Sequence, residues 1–258
     1  MADGGERLSR RVEKATREGR KALIPFLPAG FPNPDGFWDN ILELDRHGAD
    51  IIEIGVPFSD PVADGETVEE ASQESLRQGI NLDWIFEGLR QWGPRLNAEV
   101  VLMGYVNPFL QFGWRRLAQE MGECGVSGLI APDLPLEESD GPEACLQDAG
   151  ACLVRLVGVN TSAERMRQYA PRARGFVYFV SVLGTTGSGA GLSPQLLQGL
   201  QRAREIFPQP LALGFGLSRP EQLEGMRELV DAVVFGSSLI RHIRDGGRPA
   251  EFMARWRD

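Results

Sequence analysis

Eight short apolar runs, separated by amphipathic stretches, recur through almost the whole of this 258-residue chain. They occupy residues 22–29, 50–56, 99–104, 128–131, 151–158, 175–181, 211–215 and 232–235. Most are rich in Val, Ile, Leu or Phe and show little polar alternation, the pattern of strands covered on both faces. The intervening stretches have helix spacing. Phe37, Trp38, Ile41, Leu42 and Leu44 form one apolar stripe, and Trp84, Ile85, Gly88, Leu89 and Trp92 form another, opened by Asn81 as N-cap. A third begins at Ser193 with Pro194 in the first helical position. A fourth is expected at Ser218, with Glu221 three residues on completing a capping box. Regular strand–helix alternation implies parallel strands joined by right-handed crossovers. Eight such units in about 250 residues predict a closed (β/α)8 TIM barrel, one domain over residues 1–258. An open doubly wound sheet is the alternative. It calls for a G-x-G-x-x-G turn after the first strand, where this chain has Leu27-Pro28-Ala29-Gly30.

Composition narrows the function classes. Hydrophobic residues make up 42% and charged residues 24%, ordinary for a globular enzyme. A net charge of -9 disfavours nucleic acid, whose phosphate backbone that field repels. A small phosphorylated ligand is compatible with it, because backbone N–H groups and helix N-termini hold phosphate without formal charge. The three cysteines, Cys124, Cys145 and Cys152, lack metal or redox spacing and read as free thiols. His47 and His242 are the only histidines and lie far apart, which argues against a histidine-built zinc site. The polar N-terminus is not a secretory signal, and no apolar run approaches a membrane span. A cytoplasmic location is expected.

Barrel active sites lie at the C-terminal ends of strands, so polar residues there are the candidates. Glu53 stands inside an apolar strand, on the same face as Ile51 and Gly55. Burial raises such a carboxyl toward neutrality and suits it to acid–base work, unless it is paired with a distant Arg. The acidic loop that follows, 59–66, carries Asp60 and Asp64. These are ligands for a substrate N–H or hydroxyl, or parts of a solvated turn; the spacing does not fit a calcium loop. After the sixth strand, Gly184, Gly187, Gly189 and Gly191 make a phosphate cradle, a lid or a plain flexible loop, without the Lys of a Walker A motif. Gly214-Phe215-Gly216 and Gly236-Ser237-Ser238 follow strands seven and eight, where barrels often bind phosphate. Tyr178 shares a strand face with Phe176 and Val180, and its hydroxyl reaches the mouth if that face points inward.

Taken together, these segments resemble the α subunit of tryptophan synthase. The run from Glu53 through Gly65 carries the resemblance most specifically. Gly104-Tyr105-Val106-Asn107-Pro108, Pro132 to Pro135, Gly175 to Tyr178, Gly184 to Gly187, Gly214 to Gly216 and Gly236-Ser237 extend it in order. The resemblance implies a TIM barrel with an extra N-terminal helix. It also implies the retro-aldol cleavage of indole-3-glycerol phosphate to indole and glyceraldehyde 3-phosphate, a step of tryptophan biosynthesis. By the same resemblance Glu53 is the general acid–base, Asp64 bonds the indole N–H, and Tyr178 assists beside Glu53. Phe26 belongs to the indole pocket, and Thr186 to a lid that meets Asp64. Gly187, Gly214, Gly216, Gly236 and Ser237 lie at the phosphate. No cofactor is implied in this chain; pyridoxal phosphate is expected on a β subunit, in an α2β2 assembly. Glu66 stands where the family usually has Pro, Glu69 where Gln is common, and Thr185 where Val often precedes the threonine. These departures bear on lid closure and partner coupling. A Schiff-base aldolase on the same scaffold would need a lysine at a strand end, and the only lysines are Lys14 and Lys21, before or at the start of the first strand.

Overall fold

The computed structural model describes residues 3–181, 193–214 and 216–256. Nine parallel strand segments form one sheet: β1 (Ala22–Pro28), β2 (Ile51–Gly55), β3 (Glu99–Met103), β4 (Gly128–Ile130), β5 (Cys152–Leu153), β6 (Arg155–Gly158), β7 (Val177–Val180), β8 (Leu211–Gly214) and β9 (Ala232–Phe235). Their order is β5-β4-β3-β2-β1-β9-β8-β7-β6. The two ends of that order are a single run of chain, because only Val154 separates β5 from β6. Val154 still donates its N–H to Leu129 of β4 at 2.9 Å, and from Arg155 onward the run pairs with β7. The expected strand over 151–158 is therefore one strand that changes partner midway, and the eight-unit barrel closes there. Phe215, expected at the end of the seventh run, lies outside the described residues.

Eleven α-helices are described: α1 (Gly4–Arg17), α2 (Pro34–Arg46), α3 (Glu66–Arg77), α4 (Leu82–Trp92), α5 (Val106–Phe112), α6 (Trp114–Glu123), α7 (Asp140–Asp148), α8 (Ala163–Tyr169), α9 (Pro194–Ile206), α10 (Ser237–Arg244) and α11 (Pro249–Ala254). The Asn81 side chain accepts the Trp84 N–H at 3.0 Å, and Ser193 accepts from Leu196 at 3.1 Å, so both expected caps form. The expected helix at Ser218 does not. Between β8 and β9 the chain makes two short 3-10 turns, Pro220–Leu223 and Arg227–Leu229. Gly225, at φ 81°, separates them. The capping acceptor is Gln222, which takes the N–H groups of Ser218 and Arg219 at 2.8 and 2.9 Å, and not Glu221.

Strand alternation sorts the core into two layers. Leu23, Ile52, Ile54, Leu102, Phe179 and Leu213 face outward into the layer shared with the helices. Ile24, Ile51, Val101, Ile130, Phe176, Ala212 and Val234 face inward, where Leu8, Val12 and Ala15 of α1 join them. The extra N-terminal helix is thus a plug in the floor of the barrel. Its start fits closely: Gly4 donates to the Gly150 carbonyl at 2.8 Å, and a Cβ on Gly4 would stand 2.0 Å from the Ser127 carbonyl oxygen. Two forked ion pairs fix the strand starts. Arg20 grips Asp50 at 2.6 and 2.9 Å, and Arg204 grips Asp231 at 2.5 and 3.1 Å. The floor is built for stability, which leaves the opposite, C-terminal rim free for chemistry.

Candidate active site

Glu53 lies on the inward face of β2, one alternation above Ile51, and is 0% exposed. It is level with Phe26 of β1 and Val101 of β3. Neither carboxyl oxygen has a hydrogen-bond partner among the described residues. The alternative of a structural pair with a distant Arg is therefore not met there. Desolvation, reinforced by the nearby charge of Asp64, pushes the Glu53 pKa up to about 8. At neutral pH it is an uncharged acid holding a proton.

Asp64 stands on the loop between β2 and α3, half-buried over the rim. Burial raises its pKa to about 6; a hydrogen bond from the Tyr105 hydroxyl opposes that rise, and the charge of Glu69 adds to it. The two carboxyls are thus split: at pH 7 Asp64 is mostly ionised while Glu53 is mostly protonated. Asp60 of the same loop is exposed and takes a hydrogen bond from Ser59, so the structure singles out Asp64 of the pair. The departure at Glu69 acquires a physical consequence, since its charge acts on Asp64.

Tyr178 lies on β7. Burial first, then the charges of Glu53 and Asp64, hold its pKa well above the ordinary value, so it remains a neutral donor. Its ring lies against Gly214 of β8, where a Cβ would come within 2.2 Å of the ring and 2.7 Å of the hydroxyl. Phe26 is packed the same way. A Cβ on Gly55 would meet its ring at 2.7 Å, and one on Gly236 at 2.8 Å. Gly214 and Gly236, read from the sequence as phosphate residues, therefore also make room for the two aromatic rings of the rim. Phe26, Asp64, Met103 and Tyr105 line one cleft.

Ser237 opens α10 directly after Gly236, while the neighbouring Ser238 is buried and donates to the Leu217 carbonyl at 2.6 Å. Gly216 is exposed. Thr186 and Gly187, with the rest of their glycine-rich loop, lie outside the described residues. The residue that sequence reading missed is Tyr105. It is 3% exposed, stacks against Phe58 with ring centroids 5.3 Å apart, and accepts the Ala63 N–H at 3.0 Å. Its position two residues beyond β3 was the available signal, because rim residues follow strand ends.

A closed parallel barrel with a protonated acid on its second strand and an ionised one on the next loop defines a (β/α)8 acid–base enzyme. The chain belongs to the tryptophan synthase alpha chain family, whose model matches residues 12–255. It is 54% identical over 250 residues to the tryptophan synthase alpha chain of Nitratidesulfovibrio vulgaris (strain DP4), covering 97% of both chains. The tryptophan synthase subunit alpha of Legionella pneumophila superposes with a TM-score of 0.85 at 32% identity, covering 97% of this chain and 95% of that one. A chain of the tryptophan synthase complex of Pyrococcus furiosus does so at 0.82 and 32%, covering 92% and 96%.

Proposed function

We propose that Glu53, Asp64 and Tyr178 carry the α reaction of tryptophan synthase in this chain, splitting indole-3-glycerol phosphate into indole and glyceraldehyde 3-phosphate. The protonated Glu53 gives its proton to the indole carbon that bears the glycerol chain. Asp64, ionised, accepts a hydrogen bond from the indole N–H and stabilises the indolenine-like cation that results. The Glu53 carboxylate then takes the proton of the adjacent glycerol hydroxyl. That carbon becomes the aldehyde, the carbon–carbon bond breaks, and its electrons return to the indole ring. Glu53 ends as it began, protonated. Tyr178 donates to Glu53 or to that hydroxyl, and Phe26 forms an apolar wall for the ring.

The observation that carries this reading is the unpaired Glu53 carboxyl, buried inside the barrel and facing the charge of Asp64. Gly187, Gly214, Gly216, Gly236 and Ser237 hold the phosphate in this reading, and Thr186 closes a lid toward Asp64. Residues 1–258 act as one domain, in the cytoplasm. The partner is a β subunit docked over the rim, in an α2β2 assembly, with pyridoxal phosphate on that subunit. Among the described residues, the two large apolar side chains most open to solvent support the docking face: Val62 is 84% and Leu110 60% exposed, and both follow strand C-terminal ends. Indole release from indole-3-glycerol phosphate, with and without a β subunit, tests the whole reading. Weak release that rises with β is the expected result. Glu53→Gln abolishes release while leaving substrate binding nearly intact; full activity in that variant would end the role given to Glu53.

A further inference from the structure

The Tyr105 hydroxyl is committed to the loop after β2. It accepts the Ala63 N–H at 3.0 Å, and it lines the same cleft as Asp64, the next residue of that loop. Its ring is fixed independently, against Phe58, which precedes the same loop. The backbone that carries it is anchored as well. Tyr105 is the residue before α5, and the first helical N–H, of Val106, bonds both oxygens of Asp133 at 2.9 and 3.2 Å. Asp133 follows β4, Tyr105 follows β3 and Asp64 follows β2. Three successive strand ends are therefore tied across the rim, in a line that finishes at Ala63, beside Asp64.

We infer that Tyr105 is a positioning residue of the cleavage reaction: bonded to the Ala63 N–H, its hydroxyl holds the loop after β2 so that Asp64, the next residue, stays in the cleft that both line. Without that hydroxyl the Ala63 N–H loses its partner, and the loop spanning Ser59 to Gly65 would sample orientations in which Asp64 faces away from the ring. The inference rests on the role proposed above for Asp64. The Tyr105 hydroxyl beside Asp64 also favours its charged form. Glu69 of α3 acts on Asp64 and Asp133 acts on Tyr105, while the charge of Asp64 in turn reaches Glu53 of β2 and Tyr178 of β7. The hydroxyl itself stays protonated, its pKa pushed up to about 12 chiefly by burial.

The test is Tyr105→Phe in the full-length chain, assayed for indole release from indole-3-glycerol phosphate across pH. Phenylalanine keeps the ring that stacks on Phe58 and removes only the hydroxyl. The expected result is a fall in kcat of about tenfold, the scale of one lost hydrogen bond, with KM within about twofold of the parent. The acid limb of the rate profile also moves to higher pH. Asp133→Ala, which leaves the tyrosine in place and loosens its anchor, moves both quantities in the same direction by less, and it carries the test if Tyr105→Phe fails to fold. A kcat within twofold and an unmoved acid limb in both variants would overturn the inference. So would a loss expressed wholly in KM, which would make Tyr105 a wall of the pocket and no more. Asp64→Asn separates the two levels: if it retains full cleavage, the role of Asp64 itself is wrong, whereas if it is inactive while Tyr105→Phe is normal, only the positioning role fails.

Discussion

A carboxyl group sealed in a barrel without a hydrogen-bond partner is costly to keep ionised, and that cost sets how this protein responds to pH. In the proposed reaction Glu53 must be protonated and Asp64 ionised, so kcat/KM should be bell-shaped. It falls below about 6 as Asp64 takes up a proton and above about 8 as Glu53 loses one. A profile flat from pH 5 to 9 would remove both assignments. The same group acts on stability with a definite sign. Glu53 titrates near 8 when folded and near 4.5 when unfolded, so between those values the unfolded chain binds fewer protons and stability declines as pH rises. Glu53→Gln lacks this linkage. Its thermal or urea unfolding should match the parent near pH 4.5 and exceed it by roughly 3 kcal/mol at pH 7, while its activity is lost. A variant no more stable than the parent at pH 7 would mean that Glu53 is solvated or paired in the native state. Glu53 was legible from sequence because a lone carboxylate in an apolar strand has few explanations. Tyr105 was not: the sequence places it near a strand end but says nothing of which neighbouring loop it reaches across to touch.

The strand ends divide their labour between glycine and aromatic residues. Gly214 and Gly236 look in sequence like phosphate loops, yet each leaves the volume that an aromatic ring on the adjacent strand fills. Gly214→Ala would drive its Cβ into Tyr178, costing about 1–3 kcal/mol of stability and shifting the tyrosine ring and hydroxyl, with a fall in kcat. Gly141→Ala, in the first turn of α7 with open space beside it, should be neutral or slightly stabilising. Equal melting temperatures for the two variants would contradict the packing at Gly214. At the floor, Leu8 of α1 approaches the Gly128 and Gly175 backbones and is fully buried. Leu8→Ala should cost about 2–5 kcal/mol in urea unfolding and leave kcat near that of the parent, because the cavity opens at the end away from the site. The elements were largely readable beforehand, since strands covered on both faces are continuous apolar runs and the helix caps carry their own signals. Two features were not. The partner change at Val154 depends on which strands neighbour 151–158 in space. The β8–β9 connection carries a capping pattern, but Gly225 at positive φ and the short span between the strands leave it as 3-10 turns.

At the scale of the whole molecule, the barrel separates a floor of ion pairs and apolar packing from a rim of loops, and in the proposed reading that rim serves both substrate and partner. Leu110 projects from α5, the helix whose start Asp133 caps and Tyr105 precedes. A partner seated on α5 would therefore bear on the same tie that reaches Ala63 beside Asp64, a physical route by which the proposed docking would raise cleavage. Exposed apolar side chains at an interface contribute most when they fill a pocket on the partner, and a charge introduced there is desolvated without compensation. Leu110→Asp should thus raise the β concentration needed for half-maximal stimulation by at least about tenfold, from a penalty of about 1.4 kcal/mol or more. Indole release without β should stay within about twofold, since the side chain is 60% exposed and Leu110 makes no part of the site. Titrating β into the parent and the variant at fixed substrate measures both quantities. Unchanged stimulation would place the β contact elsewhere on the rim. A loss of basal release equal to the loss of stimulation would mean that α5 sets the geometry of the site whether or not the partner is present.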